Sequence, residues 1–347
     1  MNYSISKKIE NIRNNDSSLT IITMIAFIYS LIVGSGIYGY GLDFTYAYSR
    51  GFDWSAGRAG FLDYLGFRIA TFTINNFNLG VYLVTFIISI STGLLIREHM
   101  NFRKSSSLFL LLLVFIVAIH TWPIVMSTSN AMRQGLAMSF IFLALTSSLR
   151  KNFYQLMFFS LVGALVHKSA IIIIIIIIFS NILNKFLFSL SHFNKVIINF
   201  FIGIFLFTLA YHTLDLFYPY QRDTRVIGGD FRAAFVLISL VYLFLSFFYK
   251  IILNNSFNLS LYYFSFISFA PLIIGLNWQY ERLGMIMIIP YIFSYGCLFN
   301  RRSYELYIVL IFLLFFFLTI YTGMFSALLP LAEFNSIFFN HDNIKIE

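Results

Sequence analysis

Apolar residues fall in long blocks separated by short polar stretches, at 19–40, 79–96, 107–126, 132–149, 153–166, 169–184, 196–213, 232–249, 259–276, 284–299 and 304–325. A bilayer's hydrocarbon core is about 30 Å thick and takes about 20 helical residues to cross. The blocks predict an all-α polytopic transmembrane helical bundle of about 11 spans, with 10–12 as the range. The first block is too long for a signal-peptide core and no small-residue cleavage site precedes the further spans. It reads as an uncleaved signal anchor.

One stretch leaves the count open. From Phe153 to Asn184 the chain is mostly apolar, with its basic residues at His167-Lys168, about 32 residues or roughly 48 Å as one helix, too long for one span and short for two. Charge decides between them. If the stretch turns at His167-Lys168, as a full or re-entrant hairpin, then Lys7, Lys8, Arg13, Arg97, Arg103, Lys104, Arg150, Lys151, Lys185, Lys195, Lys250, Arg301 and Arg302 share one side. As one span it would send every later basic cluster across, against the positive-inside rule. The expectation is therefore one membrane domain over 1–347. It has a cytoplasmic N-terminus (1–18), outer loops at about 41–78 and 214–231, and an outer tail at 326–347.

Composition agrees and excludes other classes. Apolar residues make up 59% and charged residues 11%, and the mean hydropathy is +0.83, values beyond those of a water-soluble domain. The net charge of +9 follows from basic cytoplasmic loops, so no nucleic-acid partner is expected. A single cysteine, Cys297, excludes an intrachain disulfide and any multi-cysteine metal site. Neither a phosphate-binding loop nor a dinucleotide fingerprint occurs. No cofactor and no metal are predicted.

The outer side carries a different signature. Eight of its ten basic residues are arginines, at 50, 58, 68, 133, 222, 225, 232 and 282, and a guanidinium grips phosphate or carboxylate with two parallel hydrogen bonds where lysine offers a point charge. A periplasm-facing cavity for an anionic, oxygen-rich ligand is implied. Two polar stretches at span ends focus it: Asn130-Ala-Met-Arg-Gln134, and Val166-His-Lys-Ser-Ala170. Arg133 has no acid within ten residues and shares a helical face with Asn130 and Gln134. Arg222, Arg225 and Arg282 each have an acid nearby and could simply be neutralised by it.

In this order the residues resemble a family. Gly41-Leu-Asp43 with Tyr46, then Asn130-Ala-Met-Arg-Gln134, His167-Lys-Ser169-Ala170 and Glu281-Arg282 are similar to the motifs of Wzy-type O-antigen and capsule polymerases, in the branch that includes EpsG. The resemblance implies a bacterial inner-membrane glycosyltransferase. It would move a growing glycan from undecaprenyl pyrophosphate to the non-reducing end of a new lipid-linked repeat unit, and a chain-length regulator of the same pathway would be a partner. The chemistry needs cations for the departing pyrophosphate and a base for the acceptor hydroxyl. It needs no nucleotide.

On this reading Arg133, with Asn130 and Gln134, binds pyrophosphate at a helix start, where first-turn N–H groups also favour an anion. His167, an imidazole with an ordinary pKa of about 6.5, is the base or a second pyrophosphate donor, or else a cap on the hairpin backbone. Asp43 is an alternative base, and Arg222, Arg225, Glu281 and Arg282 line the substrate. His120, Lys168 and Arg232 rank second, His120 reading more readily as a packed histidine. Other functions stay open at this point: a flippase or transporter of lipid-linked oligosaccharide, an O-antigen ligase or other lipid-dependent glycosyltransferase, or a membrane acyltransferase.

Overall fold

Helices form along the apolar blocks and stop where polar residues can serve the backbone groups at their ends. The computed structural model describes residues 2–35, 79–105, 107–129, 132–167, 169–217, 231–275 and 277–321. The helices are α1 (Asn2–Gly34), α2 (Leu79–Phe102), α3 (Leu108–Ile119), α4 (Trp122–Ser129), α5 (Met132–Leu149), α6 (Phe153–Val166) and α7 (Ser169–Phe186). They continue with α8 (His192–Phe217), α9 (Phe231–Leu245), α10 (Lys250–Asn254), α11 (Ser256–Ile267), α12 (Phe269–Ile274), α13 (Asn277–Gly296) and α14 (Arg301–Tyr321). Among the described residues five helical segments, Ser17–Gly34, Leu79–Phe102, His192–Leu214, Ser256–Ile274 and Arg301–Ile320, are long and apolar enough to cross a membrane, and the bent pair α3–α4 makes a sixth if it is one span. Shorter apolar helices, α6 and α7 among them, fill the rest of this multi-pass bundle.

Helix ends set the direction of the chain. At the end of α5 the N–H of Asn152 donates to Ser147 O (2.9 Å) and that of Lys151 to Ser148 O (3.1 Å), with Lys151 left-handed at φ 58°. The same paired turn closes α2, where Lys104 sits at φ 57°. Glycine usually holds this position, and a side chain there costs about 1 kcal/mol. A cation beside the negative end of the helix offsets part of that. Asn152 then caps α6 by accepting the N–H of Gln155 at 3.1 Å, so α5 and α6 run antiparallel across a three-residue turn.

The stretch from Phe153 to Asn184 is two helices. His167 closes α6 in extended conformation at φ −152°, ψ 130°. The Lys185 ammonium, at the far end of α7, lies 5.5 Å from the centroid of Phe153 at the start of α6, so the pair folds back as a hairpin. Two other blocks are broken where the sequence pattern runs on. The block at 107–126 bends by 57° between α3 and α4, because Pro123 has no N–H for the carbonyl of Ile119 and its ring would strike that carbonyl. The block at 259–276 divides at Ser268, ahead of Pro271.

Several of the basic residues that charge parity places on one side, Arg103, Arg150, Lys195 and Arg301, make contacts at helix ends. Arg150 meets Glu98 at 2.6 Å, Arg103 donates to Phe299 O, Ser105 donates to Glu305 at 2.6 Å and Lys195 donates to Asn254 at 2.6 Å. These contacts tie the ends of α2, α5, α13 and α14 to one another, and α8 to α10.

The segment 256–274 is central, with 78% of its residues buried, whereas 192–214 and 301–320 are only 22% buried. Apolar packing is no driving force among lipid tails, so polar contacts and close fit hold such helices together. Around α11, Ser294 donates to Asn258 Oδ1 (2.7 Å) and Tyr242 bonds Ser294. Ser265 pairs with Tyr291 (2.6 Å) and Tyr263 donates to Asn199. The outer helices expose Tyr154, Phe201, Phe205, Leu237 and Phe317, the surface a bilayer covers.

Candidate functional site

The site sits at the end opposite the basic cluster, and α5 builds it. Its first turn is wedged between neighbours because Gly135 has no side chain. A Cβ there would lie 2.3 Å from the backbone oxygen of Ser127 in α4 and 2.8 Å from Ile88 in α2. Such contact lets α4 return directly into α5, with Arg133 half-buried in the first turn and Gln134 buried.

Register brings the two sequence motifs together. A Cβ on Gly163 would lie 3.2 Å from Phe140 Cβ and 3.9 Å from Ala137 O, which fixes α6 against α5. One turn back along α5 from Ala137 is Arg133, on the same face. One turn forward along antiparallel α6 from Gly163 is His167, whose N–H donates to Gly163 O at 3.3 Å. Arg133 and His167 therefore stand level, at the same end, on facing helix edges. His167 is buried, at 7% exposure.

At the far end of α4, the backbone groups around the break between α3 and α4 are met by protein. Of the last four carbonyls of α3, Ile116 O accepts from His120 Nδ1 (2.7 Å), Val117 O from the His120 N–H (3.1 Å), Ala118 O from Thr121 Oγ1 (2.6 Å) and Ile119 O from the Tyr29 hydroxyl (3.0 Å). At the start of α4 the Trp122 N–H donates to Thr319 Oγ1 (2.6 Å), Pro123 has no N–H, and those of Ile124 and Val125 donate to Thr121 O (both 3.0 Å). A broken backbone at membrane depth is tolerated only with such service. His120 is thus a packed residue at the bend, its ring edge-on to Tyr29 at 4.8 Å.

Of the other predicted residues, Asp43, Asn130, Lys168, Arg222 and Arg225 lie outside the described residues. So do the side chains of Arg232, Glu281 and Arg282, whose backbones open α9 and α13. His212 is exposed against Tyr211. Among the described residues no three of His, Cys, Asp or Glu are grouped to hold a metal ion. The block pattern missed the α3–α4 break and the Trp122–Thr319 link. Pro123 signalled the break; nothing local signals Thr319, which lies 197 residues away.

The fold defines a class, a multi-pass helical membrane protein with one discontinuous helix among the described residues. The EpsG family model matches residues 19–336, and the chain belongs to the EpsG family, which is associated with exopolysaccharide biosynthesis. No curated protein and no solved structure matches the chain.

Proposed function

We propose that the chain is a surface-polysaccharide polymerase of the cytoplasmic membrane, with its basic end inside and the end bearing Arg133 and His167 facing the periplasm. The level placement of those two residues, within a family of polysaccharide synthesis, carries the reading. The acceptor sugar's hydroxyl attacks the anomeric carbon of the donor glycan, and a new glycosidic bond forms as the bond to pyrophosphate breaks. Arg133, with Asn130, Gln134 and the first-turn N–H groups of α5, holds the pyrophosphate, which leaves on its undecaprenyl carrier with the bonding electron pair. His167 takes the hydroxyl proton, or else donates to the pyrophosphate while Asp43 is the base. Arg222, Arg225 and Arg232 close over the substrate from the outer loop and the helix start that follows it. Glu281 and Arg282 contact the glycan.

A discontinuous helix also favours a second reading, a flippase or transporter of lipid-linked oligosaccharide, because transporters expose unwound carbonyls to their ions and substrates. Here the last four carbonyls of α3 already accept protein donors, which supports the enzyme. A deletion strain separates the readings. A glycan ladder that collapses to core plus one repeat identifies a polymerase, and total loss of the glycan identifies a flippase or a ligase. Labelling of engineered cysteines, with Cys297 replaced, tests the orientation; a cytoplasmic signal within 326–347 overturns it.

A further inference from the structure

At the basic end, away from the proposed active site, lies a cavity of about 540 Å³ between the end of α5, the hairpin α6–α7 and the start of α11. Its lining includes Lys151 and Lys185 and no carboxylate. Among the described residues neither lysine has an ion pair. Three lining amides have their oxygens committed to protein. Asn152 Oδ1 accepts from the Gln155 N–H (3.1 Å), Asn254 Oδ1 from the Lys195 ammonium (2.6 Å) and Asn255 Oδ1 from the Phe257 N–H (2.9 Å). Their NH₂ halves are what remains for a ligand. Two ammonium groups and these amide donors, with no carboxylate on the lining, favour an anion.

The apolar part of the lining says which anion. Phe153 and Phe188 line the cavity and are 39% and 73% exposed, and Phe186 beside them is 75% exposed. These rings lie next to the lysines at a helix-end level, where headgroup meets acyl chain. We infer that this cavity binds the phosphate of an anionic phospholipid, with Lys151, Lys185 and the amide NH₂ groups on the headgroup and the acyl chains along Phe153 and Phe188. Basic pockets between transmembrane helices recognise lipid headgroups in this way.

The test uses full-length protein purified from phosphatidylcholine vesicles containing phosphatidylglycerol, with bound lipid counted by native mass spectrometry. Wild type should retain phosphatidylglycerol over phosphatidylcholine, and excess inorganic phosphate should not displace it, since phosphate lacks the chains. Each lysine removed should weaken retention about fivefold and both together about 30-fold. Suitable variants are Lys151→Asn, which suits the left-handed turn, and Lys185→Gln. Lys104→Asn is the control: it is left-handed on the same end but does not line the cavity, and should retain lipid as wild type does. If Lys104→Asn weakens retention as much as the cavity pair does, general surface charge is responsible and the proposal fails. Displacement by inorganic phosphate would overturn the lipid as source, and equal retention of both lipids would overturn the site. Should the double variant not fold, Lys185→Gln alone, on a regular helix, decides by its fivefold effect.

Discussion

At one end of the bundle Arg150 is held by Glu98 and Arg301 lies 3.6 Å from Glu305, while at the other Arg133 and His167 stand level on facing helices. Both carboxylates whose side chains are described belong to the first end. Exposed pairs of this kind contribute little to stability, about 0.2–1 kcal/mol each. Ionisable groups beside membrane spans are kept instead for what they bind. The lesson is that charge density does not locate chemistry here. At the end with more cations Arg150 and Arg301 are paired with carboxylates, and the poorer end holds Arg133 and His167, the groups proposed to meet the leaving pyrophosphate.

The strongest way to break this contrast is at Arg133. Arg133→Lys keeps the charge but loses the two-pronged grip, and polymerisation in membranes should fall about 10²–10³-fold, the usual effect of removing one aimed electrostatic donor. Full ladders from Arg133→Ala at normal protein level would dissolve the site. His167→Ala comes next. If His167 is the base, wild-type activity falls as the imidazole protonates at low pH, and the variant should be slow with that acidic limb absent. A fully active His167→Ala beside a dead Asp43→Ala would move the base to Asp43.

The contrast can be sharpened through packing. Gly135→Ala puts a methyl 2.3 Å from a backbone oxygen, and a strain of about 1–3 kcal/mol should lower the protein level and the thermal midpoint. Gly163→Ala, whose Cβ would meet Phe140 and Ile174 at 3.2 Å, should cost visibly less. Smaller still, Glu98→Gln should shift stability by about 0.2–1 kcal/mol and leave the glycan ladder unchanged, because its partner Arg150 lies at the end without the chemistry. A chelator should change nothing, since arginine can neutralise the leaving group. Activity lost to chelator and restored by magnesium or manganese would point to a metal-dependent glycosyltransferase instead.

Much of this was legible in the chain. Block lengths predict the helices, and the positions of Lys185 and Lys195 argue against a single span over 153–184, in agreement with the contact between Lys185 and Phe153. Arg133 and His167 were visible as polar groups at span ends. Their common level was not, because it depends on Gly163 meeting Ala137 and Phe140, and tertiary register leaves no local pattern. The α3–α4 break escaped the block reading because hydropathy averages over Pro123, and the donors that serve the break, Tyr29 and Thr319, come from distant helices.

The shortness of α6 has a consequence for the lipid around it. Fourteen residues rise about 21 Å, some 9 Å less than the hydrocarbon they stand in. A bilayer can meet such a deficit by thinning, so the leaflet beside His167, the outer one in the proposed orientation, should dip and draw headgroups toward the protein's midplane. A pyrophosphate on a polyprenyl chain would ride that dip inward, arriving level with buried side chains without leaving its own leaflet. Lengthening α6 by one turn should flatten the dip, which lipid-depth probes placed beside the hairpin would register as a thicker membrane.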